Sequence, residues 1–385
     1  MKVECPHGDR CPGCSYLGVD YAVQLEDKRK LVCAVLGAYP ELRRIDVSGA
    51  EPAHPIQGYR TRVKWVIGPR GELGLYAGRD HAVVDTPQCR IAGALSLEIG
   101  SAVRAMLRDP NGAGRDISAI DIREVDGDGT TRALVTLVVD RRAPSAKLDV
   151  LARELQRRVP AISSVSVNRR EDGAPQILGE DTRLLLGPPA LTDTIGTVRV
   201  VASAGSFVQA HRGQAAYLES RLVRLADALT RESGHPPRVL ELHAGAGAFG
   251  LALAKAGADV TSVESFGPAV TAMSDAARAM DVPVTAIHAD AERFVASAEG
   301  NWDLVVVDPP RRGLSPALRA GIARLQPRAI AYVSCDPETF ARDIAHLARL
   351  GFGAPEVTPV DMLPLTAHVE VVAFLRPIAV CAPAS

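Results

Sequence analysis

Apolar and polar positions keep two different periods along this chain. In its second half, short apolar runs of strand length alternate with helical patterns. The predicted strands are one that opens at Arg238, then Asp259–Val263, Val284–His288, Asp303–Val307 and Ala329–Val333, each closed by a small or polar turn. Such alternation predicts a doubly wound sheet. Glu356–Asp361 and His368–Leu375 follow, joined by a loop, and predict a closing antiparallel pair. In the first half the pattern is mixed. A helix is predicted over Asp20–Leu36, ended by Gly37. Tyr59–Ile67 alternates at period two, with Arg60, Arg62 and Lys64 on one face and Val63, Trp65 and Ile67 on the other. Gly68–Gly71 reads as a hairpin turn into Leu73–Tyr76. Beyond it lie a predicted helix Leu95–Leu107, strand Ala133–Val139, helix Lys147–Arg158 and strand Ser163–Asn168. A polar turn (169–173) and strand-like sequence up to Val201 complete an α+β scaffold.

Composition narrows the class. A chain of 385 residues predicts two or three domains. Apolar content of 47% and charged content of 23% are those of an ordinary globular protein. Net charge is −1, so a surface that binds nucleic acid has to be local. Met1–Arg10 has no apolar core, so no signal peptide is expected. No apolar run is long enough to span a membrane, and the expected compartment is the cytoplasm. Disulfides are rare there, leaving the seven cysteines as free thiols, metal ligands or nucleophiles.

Cys5, Cys11 and Cys14 crowd into one loop with Pro and Gly between them, which points to a metal centre. Cys89, in the turn-like Asp85–Cys89, is the best fourth ligand. Cys33 falls inside the predicted helix and reads as helix core. Zinc sites of four cysteines show two Cys-x-x-Cys pairs. One pair plus two singles fits a four-iron, four-sulfur cluster better. His7 is a weaker zinc-ligand candidate.

Three stretches carry chemistry. Glu241–Gly250 is a strand end, a small-residue turn and a helix start, where backbone at Gly245 can approach a ligand. Glu264 ends the next strand, where an acid can bind both ribose hydroxyls, and Asp290 follows the strand after it. Glu241 and Glu264 together favour S-adenosylmethionine over a dinucleotide. Asp308-Pro309-Pro310-Arg311 has Arg where methyltransferases of exocyclic amines carry an aromatic. Ser334-Cys335-Asp336-Pro337 sets a thiol at the carboxyl end of a strand, before a helix whose N-terminus favours thiolate.

With Phe207-Val208-Gln209 and His368-Val369-Glu370 added, these pieces resemble the RNA uracil-5-methyltransferase family across essentially the whole chain. That family includes the 23S ribosomal RNA uracil-5-methyltransferases and the tRNA T-loop uracil-5-methyltransferase. The resemblance implies an α/β, Rossmann-like class I methyltransferase domain, doubly wound with an antiparallel final strand. An α+β iron–sulfur and RNA-binding domain precedes it. The expected division is 1–95 for the cluster region with RNA-contacting strands, 96–200 for a central α+β domain and 201–385 for the methyltransferase domain. Implied cofactors are S-adenosylmethionine and a 4Fe-4S cluster on Cys5, Cys11, Cys14 and Cys89. Cofactor contacts are expected from Gln209, His243, Gly245, Glu264, Asp290 and Asp308. Cys335 is the implied nucleophile and Glu370 the general base.

Some positions depart from the family. His243 stands where an aromatic is frequent, Ala248 where Asn is, and His211 where Asn commonly follows Gln209 by two residues. The chain opens at the cysteine loop, so a TRAM domain is expected to be absent. Arg60, Arg62, Lys64, Arg311 and Arg312 are candidate phosphate contacts. The expected substrate is a uridine of 23S ribosomal RNA acted on by a monomer, with the tRNA T-loop uridine as the alternative. Two other classes compete: a methyltransferase acting on cytosine or protein, and a non-enzymatic iron–sulfur RNA-binding protein.

Overall fold

The computed structural model describes residues 1–78, 82–109, 116–141, 145–171, 176–207 and 209–378. A loop bearing three cysteines leads into α1 (Tyr21–Gly37) and β1 (Asp46–Val47). A central block follows, with β2 (Arg62–Ile67), β3 (Leu73–Tyr76), β4 (Val83–Asp85), α2 (Ala94–Leu107), β5 (Ile117–Asp126) and β6 (Thr131–Asp140). It continues through α3 (Ser145–Arg158), β7 (Ile162–Arg170) and β8 (Asp181–Leu186). The hairpin β9 (Ala190–Ile195) and β10 (Val198–Ser203) then reaches α4 (Arg212–Ser233). Strict alternation begins there: β11 (Arg238–Leu242), α5 (Ala248–Lys255), β12 (Asp259–Glu264), α6 (Gly267–Met280), β13 (Val284–His288), α7 (Ala291–Ser297) and β14 (Leu304–Val307). It ends with α8 (Pro316–Arg324), β15 (Ala329–Ser334), α9 (Pro337–Arg349), β16 (Phe352–Gly353), β17 (Glu356–Val360) and β18 (Glu370–Pro377).

The large sheet has the order β1-β17-β18-β15-β14-β11-β12-β13, with β16 also on β18. Strands β11 to β15 run parallel, and β18 is antiparallel to both β15 and β17. The antiparallel closing pair expected from the sequence is therefore present, with Val357 opposite Ala373. Side chains alternate across this sheet into two cores. Leu240, Leu242, Val305, Val307, Ile330 and Tyr332 pack with α1, α7, α8 and α9. Val239, Leu304, Val306, Ala329, Ala331 and Val333 pack with α4 and α5. The chain leaves β11 toward β12 and β13, then returns to β14 on β11's other side. That switch point opens a crevice at the carboxyl ends of the strands.

A second, seven-stranded sheet has the order β4-β3-β2-β5-β6-β7-β8 and is covered by α2 and α3 through Ile99, Val103, Leu151 and Leu155. This sheet draws strands from both sides of residue 95. The N-terminal α1 meanwhile packs on the large sheet through Val32 and Leu36. Cys33 sits on the flank of α1 and is only partly buried. Among the described residues, no helix is long and apolar enough to cross a membrane.

Candidate active site

The crevice is a cavity of about 730 Å³, of a size suited to a nucleotide-like ligand. Gln209, His243, Gly245, Glu264, Asp290, Asp308, Cys335 and Glu370 all line it, as do Arg60, Arg311 and Arg312. Val208, of the Phe207–Gln209 motif, lies outside the described residues.

The cofactor side is built by the turn after β11. Glu241 is buried beneath it and accepts from the Gly250 amide (3.1 Å) and the Ser262 hydroxyl (2.6 Å). Burial pushes its carboxyl up to about 7, and these two donors oppose that rise. His243 has φ +59° and bends the chain out of the strand. Gly247 caps α5 with φ +78°, and a Cβ there would lie 2.5 Å from the Met273 sulfur. Gly is the residue that fits this turn. Glu264 is fixed from the loop: its carboxylate accepts from the amides of Gly245 (2.9 Å) and Phe266 (2.8 Å). Asp290 caps α7 by accepting from the Arg293 amide at 3.0 Å. Burial lowers the His243 imidazole, so a neutral ring faces the cavity.

At the opposite end stand the reactive groups. Cys335 follows β15 directly, and Asp336 caps α9 through the Thr339 amide. Glu370 opens β18, one residue before Val371, which pairs with Ser334. Strand register therefore brings an acid from residue 370 beside a thiol at 335. Asp308, at the end of β14, accepts from the Gln209 side-chain amide at 3.3 Å. Burial pushes the Glu370 carboxyl up, Asp308 adds to the rise, and Arg311 opposes it. The Cys335 thiol is also raised, first by burial and then by Glu370 and Asp308, with Arg311 pulling it down. Desolvation first, and then the two carboxyl groups, act against the thiolate that the α9 N-terminus favours. The cation that opposes them, Arg311, stands out only from the structure, because sequence marked it as a phosphate contact.

The loop bearing Arg311 is itself anchored. The Arg311 carbonyl accepts from Thr339 (2.9 Å) and the Arg312 carbonyl from Arg342 (2.8 Å). Buried Asp343 accepts from the Leu314 amide (2.6 Å) and from Tyr332 and Arg319 (both 2.7 Å). Arg62 is likewise not the free basic group that its alternating strand implied. It pairs with Asp121 at 2.5 Å and donates to the Ser206 carbonyl at 2.6 Å. Its neighbour Arg123 reaches the Ser206 hydroxyl at 2.5 Å. These arginines of the second sheet hold the chain just before Gln209. Lys64 is exposed, and Arg60, Arg311 and Arg312 rim the cavity.

The four N-terminal thiols form a separate neighbourhood. Burial raises the thiols of Cys11 and Cys14, and the nearby sulfurs of Cys5 and Cys89 push both further, Cys14 to about 12. Four half-buried thiols within electrostatic reach fit a four-sulfur group in number and kind. Among the described residues, however, no three potential ligands stand close enough to hold a metal ion. His7 is engaged elsewhere, accepting the Gln88 amide through Nε2 at 3.2 Å. His211 is held on both ring nitrogens. Its Nδ1 accepts from the Gln214 amide to cap α4, Nε2 meets the Pro55 carbonyl at 2.9 Å, and the ring stacks on Tyr59.

Residues 291–378, which include both Cys335 and Glu370, match the family model described as tRNA (Uracil-5-)-methyltransferase. A relative from Caldanaerobacter subterraneus, named an uncharacterized RNA methyltransferase, is 30% identical over 97% of this chain and 83% of its own length. The chain belongs to the RNA uracil-5-methyltransferase family. A second such relative, from Geobacter sulfurreducens, is 30% identical over 96% of this chain and 76% of its own. The crystal structure of the Pyrococcus abyssi tRNA (uracil-54, C5)-methyltransferase with S-adenosyl-L-homocysteine superimposes with a TM-score of 0.75. Identity is 25%, covering 95% of this chain and 86% of that one. The protein is therefore an S-adenosylmethionine-dependent RNA methyltransferase acting on uracil carbon 5, and its α/β sheet is that of such enzymes.

Proposed function

We propose that the enzyme methylates its uridine through a covalent adduct on Cys335, with Glu370 as base, and that its first-choice substrate is 23S ribosomal RNA. The observation that carries the mechanism is the meeting of Cys335, Glu370, Asp308 and Arg311 at one end of the cavity whose other end carries Glu264 and Asp290. Uracil carbon 5 is a weak nucleophile. Addition of the Cys335 sulfur to carbon 6 makes carbon 5 enolate-like, able to take the methyl group from the sulfonium. The adduct still carries a proton on carbon 5. Glu370 removes it, the carbon 5–carbon 6 double bond re-forms, and the sulfur leaves with its electron pair. A carboxyl raised by burial suits a base that works near neutral pH.

Gln209, His243, Gly245, Glu264, Asp290 and Asp308 hold the cofactor in this reading. Glu264 and Asp290 are the acids for its ribose and adenine. Cys5, Cys11, Cys14 and Cys89 hold a four-iron, four-sulfur cluster, supported by the shared neighbourhood of the thiols. Bound there, it supplies a cross-link between the 5–14 loop and the segment ending at Cys89. Arg60, Lys64, Arg311 and Arg312 meet RNA phosphates, and the target base is flipped into the cavity. A tRNA T-loop uridine is the second reading, favoured by the fold shared with the tRNA uracil-54 enzyme. RNA carrying 5-fluorouridine, which has no carbon 5 proton to lose, tests the mechanism. An adduct stable to SDS is expected with it and not with the 5-fluorocytidine analogue. No adduct with 5-fluorouridine RNA would refute the cysteine route.

A further inference from the structure

Glu370 is delivered by the loop that runs from Asp361 to Val369, and the N-terminal part of the chain grips that loop along its length. Asp361 is fully buried and forms an ion pair with Lys28 of α1, whose side chain is equally buried. Tyr21 donates to the second oxygen of Asp361 at 2.7 Å. Lys28 also donates to the Leu363 carbonyl at 3.2 Å, and Tyr59 to the Pro364 carbonyl at 3.0 Å. Leu365 is wholly buried with φ +68°, a conformation that a leucine keeps only when its surroundings impose it. Both of its backbone groups are taken by the N-terminal region: its amide donates to Gln24 (3.2 Å) and its carbonyl accepts from Tyr16 (3.0 Å). The Ala367 amide reaches Ser15 at 2.9 Å.

A buried ion pair is a poor way to add stability, since apolar residues of the same volume serve as well or better. Here it ties one helix to the first residue of the loop that carries the base. On the functional reading above, we infer that Lys28 and Tyr21 are positioning residues for Glu370. They hold the Asp361–Val369 loop so that the carboxyl stands beside the carbon 5 proton of the methylated adduct. Neither lines the cavity. Their effect falls on the step that releases the product. The proton passes from carbon 5 to Glu370, its bonding pair re-forms the double bond, and the carbon 6–sulfur bond breaks toward Cys335. Addition of the thiol and transfer of the methyl group need no base at that place.

Single-turnover assays separate the steps. Wild type, Tyr21→Phe and Lys28→Met are mixed with labelled S-adenosylmethionine and unmodified transcripts of 23S ribosomal RNA and of tRNA. Label in free RNA and in SDS-stable RNA–protein adduct is followed over time. The expected result for both variants is methyl transfer within about threefold of wild type, with release slowed about tenfold or more and the adduct accumulating. Tyr21→Phe removes a single hydroxyl and keeps the test open should Lys28→Met fail to fold. A parallel fall in transfer and release, or no change in either, in a variant that binds S-adenosylmethionine normally would overturn the inference. If wild type labels both RNAs poorly and forms no adduct with 5-fluorouridine RNA, the functional reading is what has failed.

Discussion

Two cysteine-bearing regions of this chain are built on opposite plans. At the carboxyl edge of the large sheet, Cys335, Glu370, Asp308 and Arg311 come from three different strands and still meet. Strand register and helix caps do this without help from any ligand. Around the N-terminal loop, the thiols of Cys5, Cys11 and Cys14 share a neighbourhood with that of Cys89. Three of them come from one short loop, and the fourth, Cys89, from the turn that follows β4. The register of the large sheet sets the first site, while the second joins the 5–14 loop to a turn at residue 89.

Substitutions at each region and a pH profile test this contrast. The largest expected effect is at the preorganised site. Glu370→Gln removes the base and lowers turnover by about 10²–10⁴-fold, with methylated adduct persisting in SDS. Next comes pH. The working forms of Cys335 and Glu370 are both deprotonated, and both groups are raised, so the rate climbs with pH through neutrality. Arg311→Met deletes the cation that opposes both rises and moves the rate–pH profile to higher pH by about one unit. Loss of RNA affinity without that movement would confine Arg311 to phosphate binding.

A smaller effect is expected at the cofactor turn. Gly247→Ala forces a Cβ against Met273 at a left-handed position, costing about 1–2 kcal/mol in stability or cofactor affinity. Isothermal titration with S-adenosylmethionine and a thermal melt would read it. The smallest effect on the catalytic end is expected from the other region. Cys14→Ser abolishes iron binding, read by iron content and visible absorbance, yet leaves S-adenosylmethionine affinity within about twofold of wild type. A large loss of cofactor affinity would join the two regions that the comparison separates.

Sequence made the methyltransferase half legible because its strands are apolar on both faces and its turns carry recognisable chemistry. The ends of β12, β13, β14 and β15 fall within a residue of their expected positions at Val263, His288, Val307 and Val333. The short strands β1, β4 and β16 were not predicted, and two longer elements were also missed. Strand β5 sits mid-sheet, but Asp121, Arg123 and Glu124 interrupt its apolar pattern, and all three are buried in polar contacts. Helix α4 begins on His211, which lacks the usual Ser, Thr, Asp or Asn start signal, and its ring supplies the cap instead. The alternation around Arg62 identified its face correctly and its role wrongly, since the partner is Asp121, 59 residues away. For the same reason the pairing of Lys28 with Asp361 could not be read: no local pattern marks two charges 333 residues apart as neighbours.

The central claim is methyl transfer to uracil carbon 5 through Cys335. Its most direct test is label transfer from S-adenosylmethionine to ribosomal RNA and tRNA fractions by wild type and Cys335→Ala, followed by nucleoside analysis. Labelled 5-methyluridine is expected in one fraction with wild type and none with Cys335→Ala. Equal 5-methyluridine from the two proteins would contradict it.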